Sequence, residues 1–189
     1  MKRSVVSVLG MCVLIAASAS DARAQMTMGS FKGYLTGHVG AVTGGDVTNE
    51  RLSAGASVAV HEATGWGAEI DFGRSTDVTV SRQLLDVTTY LVNAAWAKPI
   101  GTVRPFGTVG AGILQVTGCE SPCSPASRTN DFGFSAGGGA FFAVNDVAAL
   151  RADVRYFFSS ADHPELRRPD HLAFWRVSVG ATYTWAIVP

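Results

Sequence analysis

A strict two-residue alternation of apolar and polar side chains constrains this chain of 189 residues more than any other feature. Over residues 175–185 every odd position is Val, Ala or aromatic, whereas the even positions carry Arg, Ser, Gly and Thr. The same alternation recurs over 66–72 and 150–156. Successive side chains of a β-strand point to opposite faces, so this pattern predicts half-buried strands. No stretch has the period of an amphipathic helix, and we expect an all-β fold.

Similar segments fill the rest of the chain and bring the predicted total to eight strands. They lie at 31–42, 51–62, 87–98, 104–117 and 132–144. In segment 104–117 small and apolar residues occupy both alternating positions, so its facing is not assigned.

The predicted connections alternate in length along the chain. The short turns lie at 63–64, 100–102 and 145–146, and the longer polar connections at 43–50, 75–86, 118–131 and 159–171. Short turns at one end and long loops at the other are typical of outer-membrane barrels.

The N-terminus has the pattern of a secretory signal peptide. Lys2 and Arg3 precede an apolar stretch at 5–17, and the small residues that follow lead to Ala22-Arg23-Ala24. A retained anchor helix is the alternative, but a span needs about 20 apolar residues. We therefore expect residues 1–24 to be removed and residues 25–189 to be exported. No later apolar run reaches that length, so the exported chain is either soluble or crosses a membrane as strands.

Composition narrows the function classes. Fifteen basic and fifteen acidic side chains give no electrostatic footprint for nucleic acid. Charged residues make up only 16% and aromatic residues reach 10%, which argues against disorder.

Aromatic residues cluster at both ends of the apolar face of the predicted strands. Those at the short-turn end are Trp66, Trp96, Phe142, Tyr183 and Trp185, and those at the long-loop end are Phe72, Tyr90, Phe132, Phe134, Tyr156 and Trp175. Two aromatic belts that bracket an apolar band are typical of a membrane barrel. The alternative is a secreted, soluble, lipocalin-like ligand-binding barrel with its apolar residues inside. The lipocalin Gly-x-Trp element is missing, since Gly65 and Trp66 are adjacent.

The last strand carries the sharpest motif. Residues Ser178-Val179-Gly180-Ala181-Thr182-Tyr183-Thr184-Trp185 match the C-terminal insertion signal of small barrels: polar, any, Gly, any, any, apolar, any, apolar. On this motif and the strand pattern, the chain resembles the small outer-membrane β-barrel proteins of Gram-negative bacteria, the OmpA-transmembrane-domain and OmpX-like group.

The resemblance implies an eight-stranded antiparallel up-and-down transmembrane β-barrel in the cell outer membrane. It also implies contact with outer-membrane lipid and lipopolysaccharide. Insertion by the barrel-assembly machinery would use Ser178, Gly180, Tyr183 and Trp185. We expect a monomer.

Six charged residues lie on the presumed inner face of the predicted strands and indicate how the barrel interior is filled. They are Glu69, Asp71, Arg151, Asp153, Arg155 and Arg176. Charges held away from bulk water must be paired, so we expect an ion-pair network in which arginines of the last two strands face acids of the third. An eight-stranded barrel is narrow enough for side chains to fill, which favours a plugged interior. A narrow polar ion pathway is the alternative.

Catalysis and cofactors have little support in the sequence. Lipid A deacylases of this class need a His-x-Ser pair, and none of the four histidines has Ser two places on. His163, Glu165 and His171 lie in one predicted loop together with Asp162 and Asp170. The sequence around these residues is typical of an exposed loop rather than of a metal site. We therefore expect no enzyme activity, cofactor or metal. Of three function classes, a structural or surface-interaction barrel leads, ahead of a narrow channel and an enzyme.

Two cysteines follow the signal peptide, Cys119 and Cys123, within one predicted loop. Export favours oxidation, and the further ligands of a metal site are missing, so we expect a small disulfide.

Overall fold

The eight strands form one closed antiparallel barrel. The computed structural model describes residues 31–80, 83–118, 127–160 and 171–187. Each strand pairs with the next and β1 pairs with β8, so the sheet has no free edge. The strands are β1 (Phe31–Gly44), β2 (Val47–His61), β3 (Trp66–Val80), β4 (Gln83–Ala97), β5 (Val103–Gly118), β6 (Ser127–Ala143), β7 (Ala148–Ser160) and β8 (His171–Ile187). Across these described ranges there is no helix long and apolar enough to span a membrane.

The prediction of eight antiparallel strands in up-and-down order is confirmed. We call the end where the β2–β3, β4–β5 and β6–β7 connections lie the turn end, and the opposite end the loop end. Phe31 pairs with Ile187, so β1 begins and β8 finishes at the turn end. The strands are 13 to 17 residues long, whereas about 9–11 residues suffice to cross a bilayer.

The outward face carries the apolar residues and both predicted aromatic belts. Trp66 is 62% exposed, Ile70 64% and Val92 63%. Neighbouring strands contribute adjoining belt residues: Phe72 of β3 and Tyr90 of β4 are cross-strand partners with ring centroids 5.2 Å apart. A lipocalin-like barrel requires the opposite arrangement, so the described structure rules out that alternative.

The structure shows which side chains of segment 104–117 point into the barrel. Its buried positions are all even: Phe106, Thr108, Leu114 and Val116. Val109 and Ile113 are 62% and 47% exposed on the outward face. Between them lie Gly110, Ala111 and Gly112, which explains why the sequence shows no alternation there.

Two of the predicted long connections are instead mostly strand. The prediction of a loop at 43–50 is wrong, because β1 continues to Gly44 and β2 begins at Val47 after a two-residue turn. Gly44 and Gly45 both have positive φ, and a Cβ on Gly45 would lie 2.2 Å from the Ala173 carbonyl oxygen. The prediction at 75–86 fails in the same way, since β3 runs to Val80 and β4 starts at Gln83.

The physical reason is that the inward residues become apolar towards the loop end, and that in β3 a bulge between Ser75 and Val78 exchanges the two faces of the strand. There the inward residues are apolar, such as Val78, Val80, Leu85 and Val87, which are 3% exposed or less. The same change of polarity lengthens the other strands, so that β5 reaches Gly118 and β6 begins at Ser127. Residues 119–126 and 161–170 of the other two predicted loops lie outside the described residues.

The interior contains three layers along the barrel axis. The loop-end cluster comprises Val42, Val47, Val78, Val80, Leu85, Val87, Leu91, Leu114, Val116, Phe157, Leu172 and Phe174. The turn-end cluster comprises Tyr34, Ala59, Ala97, Phe106, Phe141 and Ala149. Between them lies a charged layer.

A matched pair of substitutions on β4 tests which part of the outward face lies in hydrocarbon. Val92 lies between the belts, whereas Leu84 lies six residues beyond Tyr90 towards the loop end, and both are more than half exposed. We expect Val92→Arg to lower the free energy of unfolding in lipid vesicles by about 2–4 kcal/mol, because it places a charge near the bilayer midplane. Leu84→Arg should change it by less than about 1 kcal/mol. Equal effects in urea titrations would contradict the assigned membrane depth.

Candidate functional site: the charged interior of the barrel

The six predicted inner-face residues meet in the charged layer. Glu69 of β3 accepts hydrogen bonds from two arginines of β7: Arg151 Nη1 to Oε2 and Arg155 Nη2 to Oε1 are both 2.6 Å. Arg176 of β8 donates from Nη2 to Asp71 Oδ1 at 2.8 Å. The arginines of the last two strands therefore reach across the barrel to acids of the third.

Asp153 is the third carboxylate of the charged layer, and its partners lie on its own and the neighbouring strand. Arg151 Nε donates to Asp153 Oδ2 at 3.0 Å, and the Ser178 hydroxyl donates to Oδ1 at 2.8 Å. The layer thus balances three carboxylates against three guanidinium groups. All six residues are 4% exposed or less, a depth at which an unpaired charge would be strongly unfavourable.

Further polar residues complete the charged layer, and the sequence analysis did not single out two of them, Asn93 and Ser135. Asn93 Nδ2 donates to Glu69 Oε1 at 3.2 Å, and Asn93 Oδ1 accepts from the Ser135 hydroxyl at 3.0 Å. His38 Nε2 lies 3.4 Å from Asp71 Oδ2. On their own strands Asn93 and Ser135 have the parity opposite to the outward aromatics Tyr90 and Phe134, and that parity was the signal that could have identified them.

Glycine makes room for one of the long cross-barrel side chains. A Cβ on Gly73 would lie 2.5 Å from Arg176 Nη1, so any larger residue would displace this guanidinium. Arg176 can therefore lie across the inner face of β3 and reach Asp71.

Aromatic rings close the charged layer on both sides. The Arg151 guanidinium carbon lies 4.6 Å from the ring centroid of Phe106 and 5.2 Å from that of Phe141, in the turn-end cluster. The Arg176 guanidinium carbon lies 5.0 Å from the ring centroid of Phe157, in the loop-end cluster. These cation–π contacts connect the ion pairs to both apolar clusters.

The described histidines contact other groups of the barrel. His61 Nδ1 lies 3.2 Å from the Gly65 carbonyl oxygen, and His171 stacks on Phe158. Within the described ranges no three His, Cys, Asp or Glu side chains are arranged to hold a metal ion. His163, Glu165, Asp162 and Asp170 lie outside those ranges, as do Cys119 and Cys123, whose disulfide stays a prediction.

The four predicted insertion-signal residues lie on both faces of β8. Ser178 faces inward on Asp153, and a Cβ on Gly180 would lie 2.5 Å from the Gly37 carbonyl oxygen. Tyr183 is 55% exposed on the outward face, and its ring stacks on that of Trp185 at 6.0 Å.

A sequence model of a known protein family matches most of the chain. Residues 6–184 match the model described as "Outer membrane protein beta-barrel domain". The chain belongs to this outer-membrane β-barrel family. It is accordingly a protein of the Gram-negative outer membrane. No curated protein sequence matches the chain significantly.

Solved structures share the fold at low sequence identity. The Neisserial surface protein A (NspA) is 12% identical with a TM-score of 0.63, over 81% of this chain and 96% of that one. The N-terminal β-barrel domain of OprF from Pseudomonas aeruginosa is 12% identical with a TM-score of 0.57, over 85% and 100%. Ail of Yersinia pestis, in complex with the heparin analogue sucrose octasulfate, is 18% identical with a TM-score of 0.55, over 84% and 100%.

Removing one carboxylate tests whether the charged layer is closed to water. We expect Glu69→Gln to lower the free energy of unfolding by about 3–5 kcal/mol, because it leaves buried guanidinium charge without its partner. The control is Asp86→Asn, which breaks the solvent-exposed Arg74–Asp86 pair at 3.3 Å and should cost at most about 1 kcal/mol. Denaturant unfolding in vesicles measures both, and a Glu69→Gln effect as small as the control would indicate a hydrated interior.

Proposed function

We propose that this protein is a plugged, non-conducting outer-membrane barrel with a structural or surface-interaction role. The observation that supports the proposal is the order of the interior: a layer of three carboxylates and three guanidinium groups lies between two apolar clusters. An ion moving along the axis would have to shed its hydration shell within the loop-end and turn-end clusters. It would also have to separate paired charges such as Arg155 and Glu69, whose Nη2 and Oε1 atoms lie 2.6 Å apart.

The narrow channel is the competing function, and one feature of the interior gives it a definite test. Arg155 Nε and Arg176 Nε are buried with no hydrogen-bond partner among the described residues. Donors of this kind are the places where water could enter the charged layer. Conductance measurements distinguish a sealed layer from a hydrated path.

Single-channel recording in planar bilayers tests the proposal. We expect the wild-type protein to give no steady openings, because both apolar clusters exclude water. A shift in gel mobility between unboiled and boiled samples verifies that the inserted protein is folded. The Arg155→Ala and Glu69→Ala variants distinguish an intrinsic path from leakage, with Asp86→Asn as the control outside the interior. Steady wild-type openings that either interior variant abolishes, and that the control retains, would refute the plugged barrel.

A surface-interaction role is supported by cations just beyond the loop-end aromatic belt. Arg74 follows the belt residue Phe72 by two positions on the same face, and its side chain is 60% exposed. Arg128 occupies the corresponding outward face of β6 and donates to Gln115. These arginines lie at the depth of anionic headgroups, and Ail holds a polysulfated sugar in its crystal structure. We infer that the partner is the phosphate groups of lipopolysaccharide.

Sucrose octasulfate serves as a soluble probe for this surface. We expect the Arg74→Gln/Arg128→Gln double variant to bind it about tenfold more weakly in calorimetric titrations, and lipopolysaccharide vesicles likewise, since charge-assisted contacts are lost. Lys98→Gln removes an exposed cation at the turn end and should leave the affinity unchanged. An equal loss in both variants would indicate attraction by net charge alone.

Insertion and assembly complete the proposal. Ser178, Gly180, Tyr183 and Trp185 would be read by the barrel-assembly machinery, and an outward aromatic pair at the turn end supports this. Closure of the sheet supports a monomer, since no strand edge is left to pair with a second copy. The proposal includes no catalytic step.

A further inference from the structure

The barrel contains a cavity at its turn end that the interior side chains do not fill. Its volume is about 110 Å³, and Lys32, Tyr34, Arg104, Asp146 and Thr184 are among the residues that line it. It adjoins the turn-end cluster, with which it shares Tyr34 and Phe141, and it opens towards the turn residues Gly101 and Asp146. We take the turn end, where β1 begins and β8 finishes, as the periplasmic end. We propose that this cavity binds a phosphate group, held by Arg104 and Lys32.

Arg104 differs from the arginines of the charged layer in its partners. Arg151, Arg155 and Arg176 each have a carboxylate oxygen within 3.0 Å. Arg104 has no carboxylate partner among the described residues; its Nη1 donates to the Tyr34 hydroxyl. Its Nε and Nη2 are buried without a hydrogen-bond partner. A part-buried guanidinium whose hydrogen-bond partner among the described residues is a phenol favours an anion that offsets its desolvation.

The rest of the cavity strengthens the preference for an anion. Lys32 adds a second cation and makes no hydrogen bond or ion pair with another described residue. Tyr34 accepts from Arg104, so its own proton is left to donate. The Asp146 carboxylate is the acidic group at the rim. A group with several acceptor oxygens and at least one negative charge satisfies these donors, and an Arg–phosphate contact can be bidentate.

The position of the cavity leaves two sources for the phosphate. The turn-end aromatic belt, which includes Trp66 and Trp96, marks the inner-leaflet headgroup level, so a phospholipid phosphate is one source. A soluble phosphate monoester in the periplasm is the other. Both present the same oxygens to Arg104 and Lys32.

Binding can be measured on the full chain folded in a maltoside detergent, which contributes no phosphate of its own. One arm titrates glycerol 3-phosphate and the other a short-chain phosphatidylethanolamine below its micelle concentration, with ³¹P line broadening and the thermal unfolding midpoint as readouts. We expect at least one arm to show saturable binding and a rise in the unfolding midpoint. Binding confined to one arm identifies the source.

Variants separate this site from general attraction to cations. Arg104→Gln and Lys32→Gln should each weaken binding about tenfold, because each removes a charge-assisted contact. Lys98→Gln removes a cation at the same end that does not line the cavity, and its affinity should stay within about twofold of the wild type. Lys32→Gln tests the site even if Arg104→Gln fails to fold. No saturable binding in either arm, or equal weakening by Lys98→Gln, would overturn the proposal. Neither outcome depends on whether the barrel conducts ions.

Discussion

Closure of the hydrogen-bond ladder between β1 and β8 is the constraint on which the rest of the structure depends. Their pairing runs from Phe31 with Ile187 to Thr43 with Trp175. In hydrocarbon an open strand edge would leave backbone groups without partners, so the sheet must close. With eight strands the closed ring is narrow, and side chains from opposite walls meet inside it. Closure is therefore what brings β3 carboxylates within 3 Å of arginines on β7 and β8.

The charged layer also specifies which face of each strand turns inward. Replacing paired buried charges with apolar side chains of similar volume is often neutral for stability, so the network is poorly explained as a source of stability alone. A one-residue shift of a strand, however, exchanges its two faces. On β7 such a shift would place Arg151, Asp153 and Arg155 against acyl chains. Charges on the inner face thus exclude the reversed arrangement far more strongly than an apolar interior could.

The sequence predicted the membrane-spanning part of the barrel better than the part outside it. Alternation identified all eight strands and both belts, and parity placed the charged residues from Glu69 to Arg176 on one face. It failed at 43–50 and 75–86 because strands beyond the bilayer have water outside and side chains inside, which inverts their polarity. Segment 104–117 was ambiguous for another reason: glycine and alanine at 110–112 carry little polarity to alternate.

Contacts across the barrel depend on which strands lie opposite one another and on side-chain length, and neither is visible in a one-dimensional pattern. Parity could place Asn93 inward, but only the closed ring shows that it links Glu69 to Ser135. The turn-end cavity was missed for a similar reason. Lys32 and Arg104 are far apart in the chain and come together only at the mouth of the finished barrel.

The order of the layers determines what the two ends of the barrel can do. A ligand at Arg104 is separated from the charged layer by the rings of Phe106 and Phe141, which also stack on Arg151. From the loop end, the cluster around Phe157 forms a second apolar barrier. Because each barrier excludes water independently, opening one leaves the other closed. In the proposed plugged barrel, phosphate binding in the turn-end cavity and lipopolysaccharide contacts of the loop-end arginines would therefore be separate events, because no solute path would join the two ends.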